Sequence, residues 1–303
     1  MRRDDNFYCN ARLDRSARER VDPEWVAGLL ARSGCRFVPV WKGKNLIARG
    51  DAPAAVTVDR GALGAALENG AAQPLLLGLR GAEAIFAVDL SHHEDPHALG
   101  LDPAHEFVDL RQVGAYMDDE EAALLAYARG LAYWHLRHRF CGRCGGSTDP
   151  VDGGHSRRCG TCGTQDFPRT DPAVIMLITH GDKALMGQSP RFPQGLYSTL
   201  AGFVEVGESL EGAVRREVRE EAGIVVGDVR YHSSQAWPFP RSLMLGFYGE
   251  AETTEIDFDP KELLDCRWFS RDEVAALERK RLELMPRSES ISRRLIYEWL
   301  NRR

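Results

Sequence analysis

The sequence lacks any hydrophobic run long enough to cross a membrane. Its longest uncharged apolar stretches, residues 74–79 and 173–178, have the length of a β-strand, whereas a membrane-spanning helix needs about 20 apolar residues. Residues 1–5 are mostly charged and provide none of the apolar core of a secretory signal. We therefore expect no membrane association and a location in the cytoplasm.

The sequence also lacks an excess of basic residues. Its 39 Lys and Arg against 45 Asp and Glu give a formal net charge of −6 at pH 7. Because a long track for nucleic acid depends on clustered Lys and Arg, this balance argues against one, and any nucleic-acid ligand would be held locally. One basic cluster suits contacts with a few phosphates: Arg137, His138, Arg139, Arg143, Arg157 and Arg158.

No class of residue dominates the composition. Apolar residues make up 43% and charged residues 28% of the 303 positions, values typical of a globular protein. The length allows two domains, each with its own core. Short apolar runs between residues 36 and 114 predict strands, and apolar residues at helical spacing predict a helix over 120–138. We therefore predict an α+β protein whose N-terminal mixed α/β domain covers residues 1–135.

Cysteines are few, and their odd number, seven, does not suit a complete disulfide framework. Four of them form two Cys-x-x-Cys pairs: Cys141 with Cys144, and Cys159 with Cys162. This spacing lets two tight turns present four thiolates to one tetrahedral Zn²⁺. Because four cysteines close the coordination sphere to water, the zinc is predicted to be structural, in a ribbon over residues 136–167. The competing ligands are three nearby histidines that a helix face and a glycine-rich loop also explain: His135, His138 and His155.

The most informative motif lies in residues 202–224 and has the form Gly-x5-Glu-x7-Arg-Glu-apolar-x-Glu-Glu-x-Gly-apolar. On a helix, Glu217, Glu220 and Glu221 stand at i, i+3 and i+4, so three carboxylates share one face. Unpaired carboxylates repel one another, and Mg²⁺ or Mn²⁺, which prefer oxygen ligands, would offset that repulsion. An exposed acidic helix is the alternative, which the loop glycines and the residues Glu208 and Arg216 disfavour.

The residues of this motif suit hydrolysis of a diphosphate, a reaction in which metals neutralise charged oxygens and activate water. Arg216 is expected to form a charge-assisted fork with Glu208 that fixes the loop against the helix. Glu217 and Glu221 are the predicted metal ligands. Glu220 is predicted to be a further ligand or the group that handles the proton of the attacking water.

The motif is identified as the signature of the Nudix hydrolase superfamily, and a second motif resembles the NADH pyrophosphatase branch of that superfamily. Residues 234–242 read Ser-Gln-Ala-Trp-Pro-Phe-Pro-Arg-Ser, similar to the branch motif Ser-Gln-Pro-Trp-Pro-Phe-Pro-x-Ser. Aromatic rings, hydrogen-bonding groups and two prolines that limit backbone freedom suit a loop that holds a dinucleotide. A proline-rich docking peptide is the alternative, but the PxxP spacing is missing. The predicted substrate-binding residues are Gln235, Ala236, Trp237, Pro238, Phe239, Pro240, Arg241 and Ser242.

The resemblance covers residues 141–300 and implies a Nudix α/β/α sandwich over residues 168–303 that acts as a homodimer. It implies hydrolysis of NADH or NAD to nicotinamide mononucleotide and AMP. Removal of NAD caps from RNA is the alternative, with ADP-ribose and diadenosine polyphosphates as further candidate substrates. A zinc-ribbon module that senses nucleotides without hydrolysing them is disfavoured by the intact glutamates.

The resemblance also implies residues that the motifs alone do not identify. The backbone carbonyl of Ala201 and the side chain of Glu262 correspond to further ligands of the catalytic metal. Phe167, Phe203 and, as a weaker match, Ser292 correspond to residues that line the substrate. Ala236 replaces the proline of the branch motif, so the loop is expected to be less rigid at that position.

Overall fold

The computed structural model describes residues 6–50, 52–68, 72–280 and 284–302, and these residues form two compact units. The N-terminal unit comprises Asn10–Thr170 together with Pro238–Arg241. The C-terminal unit comprises the described part of Met1–Cys9, Asp171–Trp237 and Ser242–Arg303. Within the described ranges, no helix is long and apolar enough to cross a membrane.

The N-terminal unit contains four α-helices and nine strands in its described part, besides short 3-10 turns. In chain order they are α1 (Pro23–Leu30), β1 (Arg36–Trp41), β2 (Lys44–Ala48), β3 (Ala54–Ala55), α2 (Gly64–Glu68), β4 (Pro74–Arg80), β5 (Glu83–Asp89), β6 (His105–Val108), α3 (Leu110–Val113), α4 (Asp119–Arg137), β7 (Thr148–Val151), β8 (Ser156–Cys159) and β9 (Gln165–Asp166).

A mixed sheet and α4 form the main part of this unit. The strand order is β3-β2-β1-β5-β4, β6 also pairs with β2, and only β1 and β5 are parallel among the described strands. Phe37 and Phe86 lie directly opposite each other on that parallel pair and are fully buried, with ring centroids 5.8 Å apart. Asp118 caps α4 by accepting hydrogen bonds from the first turn. The predicted strands and helix, and hence the α+β class, are confirmed.

The remaining strands, β7, β8 and β9, form the three-stranded ribbon, and a buried histidine of α4 hydrogen-bonds to it. Nδ1 of His135 accepts a hydrogen bond from Arg157 at 2.8 Å, and Nε2 lies 2.7 Å from the carbonyl of Gly154. Because a guanidinium only donates, the proton of the neutral ring must be on Nε2. The interpretation of His135 as a structural residue is confirmed.

The free energy of unfolding is expected to fall between pH 6.5 and pH 4 through His135. Burial, reinforced by the charge of Arg157, lowers the pKa of His135 from 6.5 to about 4. Since the folded-state pKa is below the unfolded value, this stability is present above pH 6.5 and is lost towards pH 4, an effect on the order of 2–3 kcal/mol. Denaturant titrations from pH 4 to pH 7.5 should therefore show a weaker pH dependence for His135→Gln than for the wild type. Parallel curves for the two proteins would contradict this role.

The C-terminal unit contains three helices and six strands in its described part. In chain order they are β10 (Asp171–His180), β11 (Lys183–Gln188), β12 (Leu200–Phe203), α5 (Leu210–Ala222), β13 (Val226–Trp237), β14 (Ser242–Ala251), β15 (Asp265–Ser270), α6 (Arg271–Lys280) and α7 (Ile291–Asn301).

These elements form three layers, with a sheet between helices. The strand order is β13-β14-β10-β11-β15, β12 pairs with β10, and β10 and β14 are parallel. Alternate residues of β10 face opposite sides of the sheet. Val174, Met176 and Ile178 pack with the apolar face of α5, while Ile175 and Leu177 pack with residues of α6 and α7. The predicted α/β/α sandwich is therefore confirmed.

Helix α5 has the boundaries that its sequence indicates. The side chain of Ser209 accepts a hydrogen bond from the amide of Gly212 at the start, and Gly223 adopts a left-handed conformation (φ 73°) at the end. Val214 and Val218 face the core. Glu221 lies seven residues after Val214 on the same face and is buried, whereas the side chain of Glu220 is exposed.

Candidate active site

Arg216 joins the loop before α5 to the helix. Its Nε and Nη2 donate to the two carboxylate oxygens of Glu208, at 2.7 and 2.8 Å. Nη1 donates to Glu217 and Glu220, each at 2.9 Å, and Nη2 also donates to the carbonyl of Phe203 at 2.9 Å. The predicted fork is therefore present, and it lowers the pKa of Glu208 to about 2. Arg216 orients the carboxylates of the helix as well as the loop.

Gly202 in β12 leaves space for the carboxylate of Glu217. A Cβ at position 202 would overlap with that carboxylate, so any side chain there would displace it. The side chain of Glu217 is largely buried, and this burial raises its pKa although the Arg216 guanidinium opposes the change. The first glycine of the motif thus allows one carboxylate to rest against the backbone of β12.

Glu221 is the most deeply buried carboxylate of the motif, with 7% of its surface exposed. No residue in the described part of the chain donates a hydrogen bond to its carboxylate or forms an ion pair with it. Burial, followed by the charges of Glu217, Glu262 and Glu220, raises its pKa to about 8. A buried carboxylate facing like charges is unfavourable without a cation. These residues therefore fit a hard divalent cation, whose preferred ligands are such oxygens.

The two additional metal ligands implied by the resemblance lie beside this cluster. Asp259 links Glu262 to the end of α5, because its amide donates to the carbonyl of Glu221 and its carbonyl accepts from the amide of Glu262, each at 3.1 Å. The Glu262 carboxylate is exposed and close enough to raise the pKa of Glu217 and Glu221. Ala201 precedes Gly202 in β12. Metal ligation by Ala201 and Glu262 stays a prediction.

The four predicted zinc ligands lie together in the ribbon, with all Sγ atoms within 4.8 Å of one another. Three separations are 3.7 Å (Cys141 to Cys162), 3.5 Å (Cys144 to Cys159) and 3.4 Å (Cys144 to Cys162). A tetrahedron with Zn–S bonds of about 2.3 Å has edges of about 3.8 Å, so the thiols fit one Zn²⁺. The glycines after each pair, Gly145 and Gly163, close equivalent turns by donating to the carbonyls of Cys141 and Cys159, at 2.9 and 3.0 Å.

The aromatic motif begins at the end of β13, where Gln235 is 1% exposed. Its Nε2 donates to the carbonyls of Phe7 and Glu289, at 3.1 and 2.7 Å, and its Oε1 accepts from the amide of Ile291 at 2.8 Å. Both amide protons are therefore used within the protein, and only the second lone pair of Oε1 is left for a ligand. Trp237, the last residue of β13, is half-buried and contacts the ring of Tyr8 edge-on.

Three family models match consecutive parts of the chain. The NADH pyrophosphatase-like rudimentary NUDIX domain matches residues 34–134, the NADH pyrophosphatase zinc ribbon domain matches residues 136–165, and the NUDIX domain matches residues 169–294. Curated relatives match over most of the chain. The NAD-capped RNA hydrolase NudC of Mycobacterium tuberculosis is 40% identical over an alignment that covers 94% of this chain and 92% of that protein.

The NudC enzyme of Stutzerimonas stutzeri is 45% identical and covers 66% of this chain and 70% of its own. The NAD-capped RNA hydrolase NUDT12 of Homo sapiens is 40% identical and covers 67% of this chain and 49% of its own. The chain belongs to the NADH pyrophosphatase family of Nudix hydrolases. Its four cysteines are thus the structural zinc site of the family's ribbon, and α5 is the Nudix helix of a hydrolase that uses divalent metal.

In this Nudix hydrolase the second half of the aromatic motif, Pro238–Arg241, groups with the N-terminal unit. Arg129 of α4 donates from Nε to the carbonyl of Pro238 at 3.0 Å. The guanidinium carbons of Arg129 and Arg111 lie 4.9 and 5.7 Å from the centroid of the Phe239 ring. Asp109 pairs with both arginines, at 3.7 and 2.6 Å. Cation–π contacts therefore hold Phe239 in place. Arg111 and Arg129 could not be predicted from motifs, because nothing in their local sequence distinguishes them.

The other predicted substrate-lining residues differ in exposure. Phe203 of the Nudix box is 60% exposed, and Phe167 at the end of the ribbon is 64% exposed, so both rings are accessible for stacking. Ser292 is instead buried, and its Oγ lies 2.8 Å from the hydroxyl oxygens of Ser198 and Thr199. The structure thus gives Ser292 a role in joining α7 to the segment before β12, and its contact with substrate stays a prediction.

The predicted basic cluster on the zinc ribbon is only partly available to a ligand. Arg157 is buried and donates to Thr148 and His135, so the expectation that it contacts phosphates is wrong. The other arginines of the cluster are exposed, and no ion pair with an acidic residue in the described ranges is found for them: Arg137, Arg139, Arg143 and Arg158.

Residues 6–9 belong to the C-terminal unit, although the predicted N-terminal domain, residues 1–135, includes them and no motif gave them a role. Asn6 is 4% exposed and donates from Nδ2 to Ser233 Oγ and to the carbonyl of Ser234, both at 2.8 Å. No local motif marks this segment, because its partners are more than two hundred residues away in the sequence.

Proposed function

We propose that this Nudix hydrolase cuts the diphosphate of NADH or NAD, using Mg²⁺ or Mn²⁺, and releases nicotinamide mononucleotide and AMP. The carboxylate cluster around Glu221 carries the proposal, because it combines buried like charges with the box of a diphosphate hydrolase. We further propose a cytoplasmic homodimer with domains at residues 1–135, 136–167 and 168–303. Light scattering after gel filtration tests the dimer.

Each residue of the cluster has a defined role in this reaction. Glu217 and Glu221, with the carbonyl of Ala201 and with Glu262, would hold the divalent cations, which neutralise the diphosphate and activate water. Arg216 keeps Glu217 and Glu220 in position through its hydrogen bonds. Glu220, whose side chain is 60% exposed, is accessible to the attacking water and accepts its proton. The water oxygen bonds to one phosphorus atom, and the bridging P–O bond breaks to free the other nucleotide.

Substrate binding is assigned to the aromatic groups at the end of β13 and in the box. Trp237 and Phe203 offer flat apolar surfaces for the bases of a dinucleotide, and Phe167, Phe239 and Ser292 are candidate contacts from the resemblance. Arg241 and Ser242 complete the loop. The motif that contains Trp237 supports NADH as substrate, because it distinguishes this branch from other Nudix hydrolases.

Replacing Trp237 with Ala is expected to reduce kcat/KM for NADH by about 1–3 kcal/mol, the range for a stacked base. The Nudix helix carries the metal ligands on a different element, so metal affinity should survive. Both proteins are assayed with NADH and with a diphosphate that lacks the nicotinamide, at one Mn²⁺ concentration, after melting curves confirm folding. Equal losses on both substrates would assign Trp237 a purely structural role.

The substrate assignment is tested by kcat/KM across a panel of NADH, NAD, ADP-ribose and diadenosine polyphosphates, each with Mg²⁺ and with Mn²⁺. We expect NADH or NAD to give the highest value. A tenfold or larger preference for ADP-ribose or a diadenosine polyphosphate would overturn the proposal.

NAD-capped RNA is the second candidate substrate, favoured by the relatives named NAD-capped RNA hydrolases and by the exposed ribbon arginines. The diphosphate that would be cut is the same. Adding a short NAD-capped RNA to the panel distinguishes the two readings. If RNA contacts contribute, kcat/KM for the capped RNA should exceed that for NADH at low salt and should fall more steeply as salt is added.

A further inference from the structure

Residues 6–9 follow the outer side of β13, the edge strand of the Nudix sheet, along its last residues. In the antiparallel pair with β14, Ser234 faces Leu245 and Ala236 faces Leu243. The carbonyl of Ser234 accepts from Asn6, and the amide of Ala236 donates to Sγ of Cys9 at 3.2 Å. Alternate residues of an edge strand turn their backbone groups outward. Side chains of this segment thus occupy two outward-facing backbone groups of β13.

Residues 6–9 also contact the remaining residues of β13 between Ser233 and Trp237. Asn6 reaches the hydroxyl of Ser233, the carbonyl of Phe7 accepts from Gln235, and the ring of Tyr8 meets Trp237 with centroids 6.0 Å apart. Every residue from 233 to 237 is therefore contacted by the segment.

Asn6 also closes a ring of hydrogen bonds that joins β13 to α7. Its Oδ1 accepts from Arg294 at 3.0 Å, and Arg294 pairs with Glu298 at 2.9 Å. Glu298 lies 3.0 Å from Nε2 of His232, whose Nδ1 lies 2.6 Å from the hydroxyl of Ser233. Because Ser233 in turn accepts from Asn6, the ring is complete. The ring is partly buried, and hydrogen-bond networks away from bulk water fix one geometry when their members are satisfied.

We propose that residues 6–9 form a strap that holds the end of β13, and with it Trp237, in the substrate-binding position, and that Asn6 is its central positioning residue. The inference rests on the proposed function, in which Trp237 binds the dinucleotide. The strap contacts β13 and α7 and has no contact among those described with the Nudix helix. Its loss should therefore weaken substrate binding and leave the chemistry of the metal site unchanged.

The test compares Asn6→Ala and Asn6→Asp with the wild type in the full chain. Asn6→Asp keeps the size of the side chain and the acceptor for Arg294 but removes the donor to the carbonyl of Ser234. The matched control is Arg12→Ala, because Arg12 is exposed and its contact within the described ranges is a 3.5 Å ion pair with Glu120. We measure KM and kcat for NADH, Mn²⁺ affinity and the melting temperature of each protein, and assay well below the lowest melting temperature.

We expect KM to rise about tenfold in Asn6→Ala and several-fold in Asn6→Asp, with kcat within about twofold of the wild type and Mn²⁺ affinity unchanged. Arg12→Ala should match the wild type. An unchanged KM in the folded variants, even with a lower melting temperature, would show a merely structural segment and overturn the proposal. If Asn6→Ala does not fold, the KM of Asn6→Asp for NADH tests the proposal. Wild-type protein without NADH turnover would overturn the proposed function instead, and the strap is then tested with the best dinucleotide substrate.

Discussion

Replacing Glu221 with Gln is expected to lower kcat by at least about a hundredfold and to raise the melting temperature in EDTA. The loss of activity follows because Gln keeps the volume but removes a charge that holds the divalent cation. The gain in stability follows because the carboxylate is buried, faces three other carboxylates and has no donor in the described ranges. Steady-state kinetics with Mn²⁺ and melting curves in EDTA measure the two effects.

The control for Glu221→Gln is Glu211→Gln, at an exposed position in the first turn of the same helix. It should keep activity and show no rise in melting temperature. A folded Glu221→Gln protein with wild-type kcat would remove Glu221 from the metal site. Loss of activity with a lower melting temperature in EDTA would mean that the carboxylate has a stabilising partner in the fold.

Replacing Cys144 with Ser is expected to deplete zinc and to lower the melting temperature by about 5–10 °C before it affects the chemistry. The Sγ of Cys144 lies 3.5 and 3.4 Å from those of Cys159 and Cys162, so its loss opens the closed site. Zinc is measured by mass spectrometry of the purified protein, together with kcat for NADH at a temperature at which the variant is folded. Arg143→Ala, an exposed change in the same turn, is the control and should keep its zinc. Unaltered stability in a zinc-free variant would contradict the structural role.

The parts of the site that lie close together in the sequence were predicted well. Spacing predicted a helix that carries Glu217, Glu220 and Glu221 and the fork between Arg216 and Glu208, which are eight residues apart. These features depend on the fixed geometry of one helix and one loop. The layers of the sandwich were predicted by the resemblance to the Nudix superfamily. Periodicity does not show them, because residues 173–178 of β10 are buried on both faces of the sheet and are all apolar.

Contacts between segments that are far apart in the sequence are not indicated by any local sequence pattern. Asn6 and Ser233 are 227 residues apart, and Arg129 and Pro238 are 109 residues apart, so neither spacing nor composition indicates that they meet. The sequence likewise does not show which roles the polar residues of the aromatic motif have. Gln235 has the side chain of a ligand-binding residue, yet its amide protons satisfy the carbonyls of Phe7 and Glu289. Which donors and acceptors a buried amide finds depends on the tertiary fold.

The burial of Glu221 could be predicted from the sequence only in part. The pattern Glu-Glu before Ala222 shows two adjacent carboxylates, and the helical face defined by Val214 and Val218 turns Glu221 inward and Glu220 outward. The pKa of about 8 for Glu221, however, also depends on Glu262, which a separate loop brings to the end of α5. Helical spacing therefore identified the cluster of carboxylates. Only the fold shows that Glu221 is the carboxylate whose charge is most unfavourable.

We propose that the carboxylates of the Nudix helix hold the metal ions with which this enzyme cuts the diphosphate of NADH. The test is to incubate the protein with NADH and Mg²⁺ or Mn²⁺, with an EDTA control, and to identify the products by chromatography. We expect reduced nicotinamide mononucleotide and AMP in equal amounts, formed with metal and absent with EDTA. Free nicotinamide, or turnover that EDTA leaves unchanged, would contradict it.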